Sequence, residues 1–229
     1  MNMTKYSNSE WDLMSEGNFL DAYSYLSTQI KNNPEKKHRY LHNRALCLLN
    51  LKQPEKALLD FSELIVIKPE SASGYIGAGV SSWWLNMPND SIMYWRQALD
   101  AKYNDSAGGV EPSSLLLFAA ISMKRPDFEK DAIILLKKTI GQKPVTRWPG
   151  AIGSFLMGKI DYLTFYTSAN SSSNIISRKL CKFYFWVAIN NFREGNVEDY
   201  SHNLNLSVQT NSILEYEYYL AKIEIFKSK

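Results

Sequence analysis

The stretch LHNRALCLLNLKQPEKALLDFSELIVIKP, Leu41 to Pro69, decides how the rest of the chain is read. It contains no metal box, no nucleophile elbow and no glycine-rich phosphate loop, yet its spacing is orderly. Ala45 and Ala57 stand twelve residues apart, Phe61 follows Ala57 by four, and Pro69 follows Phe61 by eight. A small residue on each of two helices lets their backbones approach and pack ridge into groove. The large residue fills the space beside that contact. The proline closes the second helix, because it lacks a backbone donor and its ring clashes with the preceding turn. The stretch reads as one helical hairpin.

The hairpin recurs along the chain. At a shift of 34, Gly79 takes the place of Ala45, Trp95 that of Phe61 and Ala98 that of Leu64, with Tyr75 in a large aromatic slot before Gly79. At a shift of 35 upstream, Ala22 stands for Ala57 and Pro34 for Pro69, and Gly17 relieves the turn between helices. Downstream, Ala120, Ala132 and Pro144 keep the mutual distances of Ala45, Ala57 and Pro69, and Ala188, Gly195 and Asn196 repeat the Gly17–Asn18 turn. One hairpin cannot bury its apolar face alone, so stacked neighbours share a continuous core. The expected fold is all-α, a single α-helical-hairpin solenoid over 1–229 with units at about 3–36, 38–71, 72–105 and 113–146. Irregular helices follow over 148–174, the first two of them in WPGAIGSFLMGKIDYLTFY with Pro149 near the first turn. A last unit and a closing helix occupy 175–229, with helices over Ile175–Arg193, Val197–Gln209 and Leu214–Phe226. Lys102–Pro112 and Gly141–Gly150 read as turn-rich connectors, and Thr167–Asn174 as a polar loop.

The 34-residue period and the A-x3-F…P spacing resemble the tetratricopeptide repeat. That resemblance implies a right-handed superhelix whose first helices line a concave groove for a partner protein. The carboxyl half is similar to that of NlpI-like bacterial tetratricopeptide proteins. There too a tryptophan-led helix, a short helix, an aromatic helix ending in a glycine turn and a final EY-containing helix follow in order. The likeness implies a bacterial adaptor. The chain departs from those lipoproteins at its start, MNMTKYSNSEWDLM, which lacks a signal-peptide core and is followed by no lipobox cysteine. A cytoplasmic location is expected.

Composition narrows the function classes. Hydrophobic residues make up 45% of the 229 and charged residues 21%, enough to bury a core rather than remain disordered. A net charge of +3 from 26 basic and 23 acidic residues offers little attraction to nucleic acid, which needs many phosphate contacts. The densest basic clusters, Lys36–Lys37 with Arg39 and Lys137–Lys138, read as solvated helix ends. No apolar run approaches the ~18 residues of a membrane span. Cys47 and Cys181 lie inside apolar runs and read as small buried hydrophobes in a reducing compartment.

Catalytic and metal chemistry find little support. His38 and His42 share a helical spacing suited to a metal pair, but no third ligand is near and His202 is far away. Ser171–Ser173 have no base partner, and Glu55 with Asp60 reads as helix surface. AGG in SAGGVEP lacks the Lys-Ser/Thr of a phosphate loop. Cys181, between Lys179 and Lys182, reads as core rather than a reactive thiol. The expectation is a chain with no enzymatic activity, no cofactor and no metal.

The phase set by Ala45, Gly79 and Ala120 assigns the groove-facing positions. They are Trp11 and Met14; His42, Asn43, Leu46, Leu49 and Asn50; Ile76, Val80, Trp83 and Trp84; Phe118, Ile121, Lys124 and Arg125; then Phe185, Phe192 and Arg193. Aromatic and arginine anchors dominate interface energetics. The competing reading is that these side chains pack against neighbouring helices or the C-terminal helix and fill the groove from within. Of the adjacent Trp83 and Trp84, at least one must point away from the core. Asn43 and Arg44 resemble part of a carboxylate clamp for chaperone tails, but Ser73 and Gly77 stand where the clamp needs Lys and Arg. The functional expectation is a non-catalytic module binding another protein, as an adaptor or scaffold and as a monomer or weak homodimer. The alternative is a cytoplasmic immunity protein that neutralises a cognate bacterial toxin.

Overall fold

A computed structural model describes residues 9–101, 110–141, 143–171 and 175–227. The SAGG stretch, most of the connector Lys102–Pro112, Gln142 and positions 172–174 of the serine-rich loop lie outside these residues. So do the first positions of the first unit and the last two of the chain. Among the described residues the fold is all-α, with thirteen α-helices, one 3-10 turn at Pro34–Lys36 and no strand. They are α1 Glu10–Ser15, α2 Phe19–Asn32, α3 Lys37–Asn50, α4 Pro54–Ile67, α5 Ala72–Trp84, α6 Pro88–Asp100, α7 Val110–Ser122 and α8 Pro126–Ile140, then α9 Gly150–Leu156, α10 Tyr162–Ala169, α11 Ile176–Glu194, α12 Val197–Gln209 and α13 Tyr216–Lys227. The last three match the expected helices to within two residues.

One turn is used six times. Gly17, Lys52, Asn86, Lys124, Gly158 and Gly195 each adopt a positive φ after a first helix. Each turn carries the same two backbone bonds. At the second, Gln53 N–H donates to Leu48 C=O at 2.9 Å and Lys52 N–H to Leu49 C=O at 3.1 Å. At the third, Met87 N–H donates to Ser82 C=O at 2.9 Å and Asn86 N–H to Trp83 C=O at 3.2 Å. This is the Schellman pattern, which satisfies the helix's orphan carbonyls while reversing the chain. Pro54, Pro88 and Pro126 then open α4, α6 and α8 at the first helical position, where no amide donor is needed.

Between the paired helices, small faces large. Gly79 lies so close to the Trp95 indole that an added Cβ would sit 2.2 Å from its Nε1, and Gly77 stands in the same relation to Phe61. Trp95 in turn donates its indole N–H to the Ile76 carbonyl at 3.3 Å. Ala45, Ala57, Ala120 and Ala132 are fully buried at the equivalent joints. Each helix packs on its sequence neighbours, so the pairs α1/α2 to α7/α8 follow one another in space, and α9 to α12 continue the series. One element breaks this order. Helix α13 returns across the array and packs on α5, α11 and α12.

Candidate functional site

The inner face of the first helices is where the sequence places a partner, and α13 lies on it. Polar ties fix it there from end to end. The Tyr216 hydroxyl donates to the Ser73 carbonyl at 2.8 Å and lies 3.1 Å from His42 Nε2. The Tyr219 hydroxyl donates to the Ile213 carbonyl at 2.6 Å and accepts from Asn50 Nδ2 at 2.8 Å. Further along, Glu224 accepts from the Trp83 indole at 2.8 Å and from the Tyr200 hydroxyl at 3.0 Å. These ties run from His42 to Asn50 and on to Trp83, so α13 lies parallel to α3 and α5.

Charge is buried under α13 as well. The Lys182 ammonium of α11 sits 3.1 Å from Glu111 and Glu215 and 3.3 Å from Glu217. Arg178 adds a second cation on Glu215. Glu217 also accepts from the Trp186 indole at 3.1 Å. Burial works against the ionised Glu215, yet Lys182 and Arg178 outweigh it and hold its carboxyl below the usual range. Glu217 has only its share of Lys182, and burial pushes it up to about 7. A buried ion cluster of this kind is costly to break by removing one member. It locks α7, α11 and the entry to α13 together.

The expected groove residues therefore separate into two sets. Leu46, Leu49, Ile76, Val80, Phe118, Asn43 and Trp83 are all buried. Phe118 is wedged between Trp83 and Phe185, with ring centres 4.9 and 5.5 Å away. His42 and Asn50 are half-buried and engaged by Tyr216 and Tyr219. For these nine the expected open groove is corrected: all are buried or half-buried within the fold, His42, Asn50 and Trp83 are bonded to α13, and Phe118 packs on Phe185 of α11. Met14 and Phe185 are likewise buried. Trp11, Lys124 and Arg125 remain exposed, and Trp84 is half-buried against the core with one side on a cleft. Trp11 is 42% exposed beside a cleft of about 250 Å³ that also includes Arg178 and Ile213. Lys124 and Arg125 stand on the α7–α8 turn, near the rings of Phe192 and Phe128 at 6.0 and 5.9 Å.

Other candidates resolve as structural. Arg44 forks onto Asp60 with bonds of 2.7 and 2.6 Å and stands over the Tyr23 ring. It holds α3 to α4 and is not available to a peptide carboxylate. Cys47 and Cys181 are buried, and burial pushes each thiol up to about 12. Burial likewise lowers the pKa of His42, with Asn43 opposing. No cluster of three or more metal-ligating side chains occurs among the described residues. None of their helices is long and apolar enough to cross a membrane.

Trp84 leads to a feature that sequence reasoning missed. The end of α5, the α3–α4 turn, α12 and the last turn of α13 enclose a cleft of about 390 Å³. Trp84, Val208, Ile225 and Phe226 form its walls, and Lys52 and Lys222 stand over it. Phe226 is 76% exposed, an unusual state for a phenylalanine with a core beside it. The only sequence signal for this site is the apolar–basic mixture of LAKIEIFK, whose docking position no local pattern reveals.

No known protein-family model matches the chain, and no curated protein is significantly similar to it. Function must therefore be argued from the surface itself.

Proposed function

We propose that this chain is a non-catalytic protein-interaction module, and that its partner engages the rim of the groove rather than its floor. One observation carries the reading: an open aromatic cleft at Trp84 and Phe226, beside a groove floor covered by α13. Aromatic anchors in partly enclosed pockets supply most of the binding energy at protein interfaces. The repeated hairpin supports the same reading. It presents a rigid, preorganised surface, and rigidity lowers the entropic cost of association. The tetratricopeptide-like superhelix expected from the 34-residue period and the adaptor role implied by the resemblance of the carboxyl half agree with it. The sealed floor also changes which tryptophan matters. Trp84 is the binding residue, and Trp83 is a core residue that ties α5 to α13.

Site-specific photo-crosslinking tests this. A benzophenone amino acid at position 84 is expected to yield discrete protein adducts in lysate of the native host. The same probe at Val66, an 80% exposed position of α4 that does not line the cleft, is expected to yield none. Absence of protein adducts at 84 would sink the proposal.

A further inference from the structure

The Trp84 cleft has a chemical preference. Trp84, Val208, Ile225 and Phe226, from α5, α12 and α13, make it largely apolar, Asn205 adds one amide, and among the described residues the charged side chains that line it are the two lysines. Lys37, Lys68, Lys130, Lys182 and Lys227 each have a carboxylate partner. Lys52 and Lys222 have none among the described residues. Lys222 is half-buried, and its nearest partners are the Tyr218 hydroxyl at 3.5 Å and the ring below it at 4.9 Å. Burial, and next the like charge of Lys52, push the Lys222 ammonium below its usual range. An anion seated between the two would relieve that repulsion and give both ammonium groups a charged partner.

We infer that the cleft takes an acidic segment of a partner protein. A carboxylate sits between Lys52 and Lys222, and a neighbouring aromatic or branched side chain rests against Trp84, Val208 and Phe226. A long-chain free carboxylic acid shares this chemistry but fits the shape poorly. The cleft is open at Phe226, so much of an alkyl chain would remain in water, whereas sites for such ligands bury most of their surface. A peptide needs only one side chain buried and can run on across the rim. Complementary charge at such a rim sets specificity and association rate, and is weakened by salt.

This inference rests on the protein-interaction reading, and the two fail separately. The full chain is used to select from a phage-displayed library of random dodecapeptides, and enriched sequences are measured by fluorescence anisotropy. The expected enrichment pairs Asp or Glu with a large apolar residue within two positions. Affinity should fall about tenfold in Lys222→Glu, about fivefold in Lys52→Glu and not at all in Lys56→Glu, an exposed lysine off the cleft. Raising salt from 50 to 500 mM should weaken the unaltered chain and have little effect on the Lys52→Glu/Lys222→Glu double variant. Lys52 is exposed and Lys222 half-buried with no carboxylate partner among the described residues, so helical content measured by circular dichroism should not change. Enrichment of uncharged or basic motifs, no enrichment, or equal affinity in the double variant overturns the inference. So does laurate binding at the cleft without any peptide binding. If adducts at position 84 persist in the double variant, the interaction reading stands and only the acidic preference is lost. If adducts are absent throughout, both are lost.

Discussion

The indole nitrogen of Trp83 donates to Oε1 of Glu224 across 2.8 Å, joining the last turn of α5 to the last turn of α13. Both groups are buried, and the other carboxylate oxygen accepts from the Tyr200 hydroxyl at 3.0 Å. The Lys227 ammonium lies 4.5 Å from the centre of the Trp83 ring and 3.7 Å from Glu224. One carboxylate thus serves three elements, and this is what keeps the groove floor closed near the Trp84 cleft.

Glu224→Ala should leave a buried indole N–H and a buried hydroxyl unpaired. Each such loss costs ~1–3 kcal/mol, so a destabilisation of about 2–4 kcal/mol is expected. Glu224→Gln keeps an acceptor for Trp83 and should cost about 1 kcal/mol. Urea denaturation followed by circular dichroism reads both. Equal costs for Ala and Gln would mean that the hydrogen bonds are not what holds α13.

Gly79→Ala tests the close approach of α5 and α6. The new methyl would lie 2.2 Å from Trp95 Nε1, within the wall of a large, fully buried ring. Alanine is the better helix former by about 1 kcal/mol. Overpacking should outweigh that gain and destabilise the fold by ~1–3 kcal/mol. Combining the change with Trp95→Phe should recover part of the loss by vacating the clash, a coupling that a double-mutant cycle measures. Strict additivity would argue against the contact.

Asn86→Gly and Lys124→Gly probe the repeated turn. Both residues hold left-handed backbone, with φ of 58° and 53°. Glycine adopts that region without the Cβ penalty of about 1–2 kcal/mol, although it loses more entropy on folding. A net gain of about 0.5 kcal/mol is expected at each site, as a rise in the urea midpoint. Because the two turns belong to different helical pairs, the two gains should add. A loss at both sites would show that Asn86 and Lys124 make side-chain contacts that matter more than the strain.

The helical pairs were legible because their signals are local and periodic. Ala45, Ala57 and Phe61 lie on one face at helical spacing, and Gly79 with Trp95 repeats the pattern. The path of α13 was not legible. A closing helix could be read from LEYEYYLAKIEIF, but buried Glu217 and Glu224 oppose the usual rule that carboxylates face water. They are tolerated because Trp186, Lys182, Trp83 and Tyr200 meet them, and those partners come from distant parts of the chain. The same is true of Lys52 and Lys222, which become neighbours only once α13 has docked. Trp83 and Trp84 were separable in kind, one inward and one outward. Which was which depended on that docking.

The buried ion cluster gives stability a pH dependence whose sign can be worked out. Among the described residues Glu111, Glu215 and Glu217 all meet Lys182, and Arg178 also meets Glu215, with the Trp186 indole on Glu217 and the Tyr216 hydroxyl nearby. Burial, opposed by Lys182 and reinforced by Glu111 and Glu215, raises Glu217 from 4.5 to about 7. Between those values the folded chain holds a proton that the unfolded chain releases. Stability from this group is therefore full below pH 4.5 and is lost as pH rises through 7. His42 acts in the opposite sense. Its folded pKa lies below 6.5, so it destabilises the fold only as pH falls under that value. Glu217→Gln keeps an acceptor for Trp186 and removes the third carboxyl. Urea midpoints of the unaltered chain and the variant, measured from pH 5 to pH 8, should diverge in the variant's favour as pH rises, by about 1–3 kcal/mol. Lys182→Met should do the reverse: it removes the cation that Glu111, Glu215 and Glu217 share, so its deficit should deepen toward alkaline pH. Parallel profiles for Glu217→Gln and the unaltered chain would rule out Glu217 as the group that titrates.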